Sequence, residues 1–247
     1  MYVEHYGDAN NPSILFLHGA MAFHCFMKQI EISDKFHLIF YTLPGHGQDS
    51  QREFDRETAL KEAVQIAKSL NKGKINLVGF SLGSQLGLKL IDGYSNLFDK
   101  AVLVSPLIDS TEADEMLLSI STRIVGYSTK FEPISKFVSM FMGIDRDKYP
   151  QFVREQKSQN VDSLSKNILK DMLISDNLKN IGSLQNEVLL LAGGRERSSF
   201  RRSAKKLNGI IKNSELKIYE GAGHNIPFKF YKQFNSDLIK FFSKKGE

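Results

Sequence analysis

Short, continuous apolar runs bounded by turn residues recur along the chain. Between them lie segments whose apolar positions return every three to four residues. The runs cover 14–17, 38–41, 75–78, 101–104, 188–191 and 216–219. Most of them are continuous apolar runs rather than alternating ones, which suits strands buried on both faces, as in a parallel sheet. Tyr2–Tyr6 is expected to add an antiparallel edge strand. In 58–71, Leu60, Ala63, Val64, Ala67 and Leu70 form one apolar stripe, so a helix is predicted there, with Gly73 as its stop. A second helix is predicted over 82–91, ending near Gly93. Near the C-terminus, Tyr231, Phe234, Leu238 and Phe241 fall on one helical face. Strands alternating with helices imply βαβ units and an α/β architecture, a mostly parallel, doubly wound sheet.

The alternation fails once. Between the strand ending near Ser105 and the one starting near Val188 no strand pattern appears. That interval reads as helical, broken near Pro133 and Pro150. It carries three apolar stretches: Leu117, Leu118, Ile120, Ile124 and Val125; Phe137, Val138, Met140, Phe141 and Met142; and Leu164, Ile168, Leu169 and Met172. A helical insertion over the sheet is expected, not a structureless loop.

Composition narrows the class. The 247 residues are 41% hydrophobic and 25% charged, which excludes wholesale disorder. One cysteine, Cys25, rules out an intrachain disulfide framework and is expected to be a buried apolar residue. No run of about 18 apolar residues predicts a membrane span. The start, Met1-Tyr2-Val3-Glu4-His5, lacks the signature of a secretory leader, so a cytoplasmic location is expected. The net charge of +5 is small for a nucleic-acid binder, and none is expected as a partner. The densest basic cluster is Arg195, Arg197, Arg201, Arg202, Lys205 and Lys206. It reads as a solvated helix face or, less simply, as a contact for an anionic substrate.

The chemistry concentrates at strand ends. Gly79-Phe80-Ser81-Leu82-Gly83 follows one predicted strand and opens a helix. That context makes Ser81 a nucleophile on a tight, strained turn, with glycines where side chains would collide. A serine hydroxyl needs a base. Of six histidines, only His224, in Gly221-Ala222-Gly223-His224, lies after the last strand. The base needs an orienting carboxylate. Glu196, just beyond the strand 188–191 and flanked by arginines, is the first candidate, with Asp109 as the alternative. His18-Gly19-Ala20-Met21 follows the strand 14–17. The backbone N–H of Ala20, with that of Leu82, is placed to hold an oxyanion, and Met21 is the other donor considered. His18 is expected to brace its loop. Met21, His24, Phe26, Phe137, Met140 and Phe141 are candidates for the substrate pocket; the insertion's Phe and Met residues, Phe131 and Met116 among them, serve equally as its own core.

Leu17-His18-Gly19, Leu43-Pro44-Gly45-His46-Gly47-Gln48-Asp49-Ser50, Gly79–Gly83 and Gly221–His224 occur in that order over nearly the whole chain. In this the chain resembles the α/β-hydrolase fold superfamily, in its capped esterase, lipase and C–C hydrolase branch. The resemblance implies a Ser–acid–His triad and a helical cap after the sixth strand. Residues 1–106 and 186–247 would form the core and 107–185 the cap. It further implies that His46 is structural. Two features depart from relatives: the acid slot more often holds Asp, and Ser84 replaces a frequent glycine or alanine. The absence of tryptophan and the Ser nucleophile disfavour the dehalogenase and epoxide hydrolase branches. The expected activity is hydrolysis of a small-molecule acyl ester without metal or organic cofactor, by a monomer or homodimer. A C–C bond hydrolase or thioesterase would use the same triad; a ligand-sensing or partner-binding relative would keep it with little turnover.

Overall fold

The computed structural model describes residues 1–172 and 178–244. Its sheet has seven strands: β1 (Tyr2–Tyr6), β2 (Ser13–Leu17), β3 (His37–Thr42), β4 (Ile75–Phe80), β5 (Phe98–Val104), β6 (Glu187–Gly193) and β7 (Ser214–Tyr219). The order across it is β1-β3-β2-β4-β5-β6-β7. Every pairing is parallel except β1 on β3, the expected antiparallel edge. The interior strands β2, β3 and β4 are buried at every position, which is why their sequences are largely apolar, with Ser13, His37, Thr42 and Asn76 as the buried polar exceptions.

Each face of the sheet carries its own apolar layer. Leu15, Leu17, Leu77 and Leu103 pack with helices α1 (Arg56–Ser69) and α2 (Leu82–Tyr94). Ile14, Phe16, Val78 and Val102 pack with the C-terminal helix α9 (Tyr231–Ser243) and a 3-10 turn over Met27–Ile32. On α9, Phe234, Leu238 and Phe241 are buried, each worth about 1.5–3 kcal/mol relative to exposure. Cys25 is fully buried in the same layer. Helix α1 starts at Arg56 because the Asp55 carboxylate accepts the Thr58 N–H at 2.7 Å, an N-cap. It closes at Ser69, before the expected stop: Asn71 turns into the left-handed region first, with Gly73 following.

Between β5 and β6 run α3 (Glu112–Ser128), α4 (Glu132–Met142), α5 (Tyr149–Ser158) and α6 (Val161–Met172). Pro133 and Pro150 stand in the first turns of α4 and α5, where a missing N–H costs nothing, so they start helices as well as separating them. Of the third apolar stretch, Leu164 and Ile168 are buried against the core; the side chains of Leu169 and Met172 lie outside the described residues. The helical excursion follows the chain's fifth strand rather than a sixth, since only β1 precedes the β2–β3 pair among the described residues. After β6 come α7 (Ser198–Ile210), β7 and the short α8 (Ile226–Lys229). No helix among the described residues is long and apolar enough to cross a membrane.

Candidate functional site

A parallel sheet aims all its strand C-termini at one edge, and the loops there converge. Ser81 leaves β4, Ser105 leaves β5, Glu196 leaves β6 and His224 follows β7. Ser81 sits at φ 53°, ψ −112°, a conformation that non-glycine residues rarely adopt. Its N–H is fixed on the Val104 carbonyl at 2.9 Å. The two glycines of the motif are required by packing. A Cβ on Gly79 would lie 2.4 Å from the Gly83 carbonyl oxygen, and one on Gly83 would lie 1.8 Å from that of Leu17. Ser84 bonds back to the Ser81 carbonyl through its own hydroxyl at 2.7 Å.

His224 donates from Nδ1 to Glu196 Oε1 at 2.8 Å. That leaves Nε2 of the neutral ring as a proton acceptor. The imidazole lies between two phenyl rings, Phe80 and Phe200, each with its centroid 4.8 Å away. Glu196 is shut off from solvent, its side chain 0% exposed. Besides His224 it accepts from the Ser105 hydroxyl at 2.5 Å and from the Gly193 N–H at 2.9 Å. A buried carboxylate is tolerable only when so many donors meet it. Arg201 supports the same loop by bonding to the carbonyls of Gly194 and Glu196. Asp109 lies elsewhere: its carboxylate faces Arg202 Nε at 3.4 Å on the surface.

Ser81, Glu196 and His224 line one cleft of about 410 Å³, together with Ala20, Met21, Leu118, Ser121, Thr122, Val125, Arg195, Arg197 and Phe200. Leu82, as the first residue of α2, has an N–H without an intrahelical acceptor. The loop before Ala20 is braced by His18, which donates from Nδ1 to the Gly19 carbonyl at 2.9 Å and accepts the Leu43 N–H on Nε2 at 2.9 Å. Burial, and then the neighbouring His46, holds the His18 imidazole well below the usual histidine range. Burial pushes His46 down to about 4, and its Nδ1 bonds to the Pro44 carbonyl at 3.1 Å. Both rings are buried and brace backbone of their loops.

Of the residues expected to line the substrate pocket, Met21 alone lines this cleft. His24 bonds through Nε2 to Glu155 of α5 at 2.9 Å, and Phe26 is buried against Phe16 with ring centroids 5.0 Å apart. Phe137 and Met140 are 69% and 68% exposed on α4, and Phe141 stacks on Phe137 and touches Phe228. These three form neither the cleft nor an internal core of the helices, and Phe131 and Met116 are likewise exposed. The apolar face of α4 turns outward; it is α3, through Leu118, Ser121, Thr122 and Val125, that faces the cleft. Sequence reasoning missed those four, as well as Ser105, Phe80 and Phe200. The one available signal for Ser105 is a polar residue set directly after an apolar strand, at the edge where strand ends converge.

A family model described as alpha/beta hydrolase fold matches residues 12–231. No curated protein matches the chain by sequence. Among solved structures, the chain is similar to MGS-M2, an alpha/beta hydrolase enzyme from a Medee basin deep-sea metagenome library. That match has 17% identity and a TM-score of 0.75, covering 100% of this chain and 95% of the other. It is also similar to a carboxylesterase of the ammonia-oxidizing thaumarchaeon Nitrososphaera gargenis, at 16% identity and a TM-score of 0.75, covering 98% and 93%. A third likeness is to a meta-cleavage product hydrolase from Pseudomonas fluorescens IP01, at 18% identity and a TM-score of 0.72, covering 97% and 93%. At such identities the likeness is one of fold.

Proposed function

The chain belongs to the alpha/beta hydrolase fold family, and from that premise we propose that it is a serine hydrolase cleaving carboxylic esters of small or medium acyl chains. The observation that carries this reading is the Glu196–His224 hydrogen bond of 2.8 Å beside the strained Ser81 in one cleft. In the proposed reaction, His224 Nε2 takes the Ser81 proton as Oγ attacks the ester carbonyl. The oxyanion is held by the N–H groups of Ala20 and Leu82. The same proton then passes to the departing alcohol, leaving an acyl-enzyme on Ser81. Water, deprotonated by His224, attacks the acyl group and releases the acid. Glu196 keeps Nδ1 protonated and stabilises the imidazolium as it forms. The helices 112–172 act as a cap over the strand edge, with α3 forming the wall that meets the acyl group. The reading requires neither metal nor cofactor at any step.

Kinetics on a panel of small esters test it. Glu196→Gln is expected to lower kcat by about 10³–10⁴-fold, because the amide favours the wrong imidazole tautomer. Asp109→Asn removes only an exposed ion pair and should cost less than about fivefold. The reverse ranking would remove Glu196 from the triad.

A further inference from the structure

Four arginines crowd the end of β6 and the start of α7, and they divide into two pairs. Arg201 is turned onto backbone carbonyls of its own loop. Arg202 is matched by the carboxylates of Asp109 at 3.4 Å and Asp114 at 3.7 Å. Arg195 and Arg197 have neither arrangement. Both side chains are exposed, both line the cleft, and no carboxylate among the described residues lies within ion-pair distance of them. The single carboxylate in the cleft wall, Glu196, spends both oxygens inward on His224, Ser105 and Gly193. The rim therefore carries two positive charges against the wall's one buried carboxylate, which is turned inward.

These guanidiniums stand on a fixed base. The Arg195 N–H donates to the Ala222 carbonyl at 2.8 Å, and the Gly194 N–H to that of Tyr219 at 2.9 Å, so the loop is tied to the one bearing His224. Both arginines lie before α7 begins, at its N-terminal end, and so are not part of a solvated helix face. The rest of the lining is largely apolar, with Met21, Leu118, Val125 and Phe200, relieved by the hydroxyls of Ser121 and Thr122. A cleft with apolar walls and a forked, permanently charged rim matches a ligand with a hydrocarbon part and an oxyanion.

We propose that the cleft selects esters carrying a carboxylate or phosphate group, bound by Arg195 and Arg197 while the ester carbonyl lies at Ser81. This rests on the serine-hydrolase reading and adds the charge of the substrate. Each exposed guanidinium–anion contact is worth up to about 1 kcal/mol, so two give a preference of roughly five- to thirtyfold.

The test compares kcat/KM within matched pairs, each corrected for the ester's own alkaline hydrolysis rate. On the alcohol side, phenyl acetate is set against 4-acetoxybenzoate and 4-acetoxyphenyl phosphate. On the acyl side, 4-nitrophenyl butyrate is set against the 4-nitrophenyl hemisuccinate. At least one anionic ester is expected to lead its neutral partner fivefold or more, and the carboxylate and phosphate arms tell which oxyanion is preferred. The lead should disappear in the Arg195→Gln/Arg197→Gln double variant, survive in Arg195→Lys/Arg197→Lys, and shrink as salt screens the rim. Neutral esters turned over as well as every anionic partner would overturn this inference and leave the hydrolase reading standing. So would a lead that persists in the double glutamine variant. Turnover of no ester, with Ser81 unlabelled by a fluorophosphonate, would sink both.

Discussion

Ser105 shows what single residues contribute here and why some escape a reading of the sequence. It has a positive φ of 54°, its N–H is held by the Leu191 carbonyl at 2.7 Å, and its hydroxyl reaches Glu196, 91 residues away. It is a positioning residue: it fixes the carboxylate that fixes the imidazole. Ser105→Ala is expected to lower kcat on esters by about tenfold with KM little changed, since a hydrogen bond to a charged group is lost. An unaltered kcat in a normally folded variant would remove it from that role. Glu196 was legible because it stands beside glycines and arginines at a strand end. Ser81 was legible because the sterics of its turn are local and leave two glycines in the sequence. Ser105 leaves a fainter trace: a polar residue directly after an apolar strand marks the edge but does not announce the partner that the sheet brings in.

At the scale of elements, the strands were readable and the faces of the inserted helices were not. A strand buried on both sides must be largely apolar, and β2, β3 and β4 advertise it. An amphipathic helix advertises a face but not what covers it. The apolar residues of α4 looked like pocket or core, yet Phe137 and Met140 are exposed while the less apolar Ser121 and Thr122 of α3 meet the cleft. What ties the inserted helices to the sheet is partly polar. His24, on the loop after β2, bonds to Glu155 of α5, and both are largely buried. The Glu155 carboxyl is depressed below its usual range: burial works against this, but hydrogen bonds from His24 and Gln151 outweigh it. Glu155→Gln is expected to destabilise the fold by about 1–3 kcal/mol and to speed proteolytic cleavage within 107–185. A melting temperature and cleavage pattern identical to those of the unaltered protein would contradict the clasp.

For the whole molecule, the sheet's topology does most of the assembly. Residues from loops after β2, β4, β5, β6 and β7 arrive at one edge because the strands that carry them run parallel. The same edge buries two neutral histidines, His18 and His46, whose rings lie 4.9 Å apart. Both bind a proton less readily folded than unfolded, so unfolding takes up protons below the ordinary histidine value of about 6.5. Stability is therefore expected to be complete above that pH and to decline as the pH falls toward 4. The melting temperature should be lower at pH 5 than at pH 7.5, with a shallower decline in His46→Leu; a flat profile would contradict the burial of both rings as neutral groups. The family, the strands and their mostly parallel arrangement were open to sequence reasoning, whereas the wall that α3 gives the cleft depends on side chains from a distant segment.

The proposed reaction stands on Ser81 as an activated nucleophile. Its most direct measurement is labelling of the intact protein with a fluorophosphonate, followed by mass mapping of the adduct. One adduct per chain, on Ser81, and strongly slowed labelling in His224→Ala are the predicted results. An unlabelled protein, or an adduct on any other residue, would contradict the account.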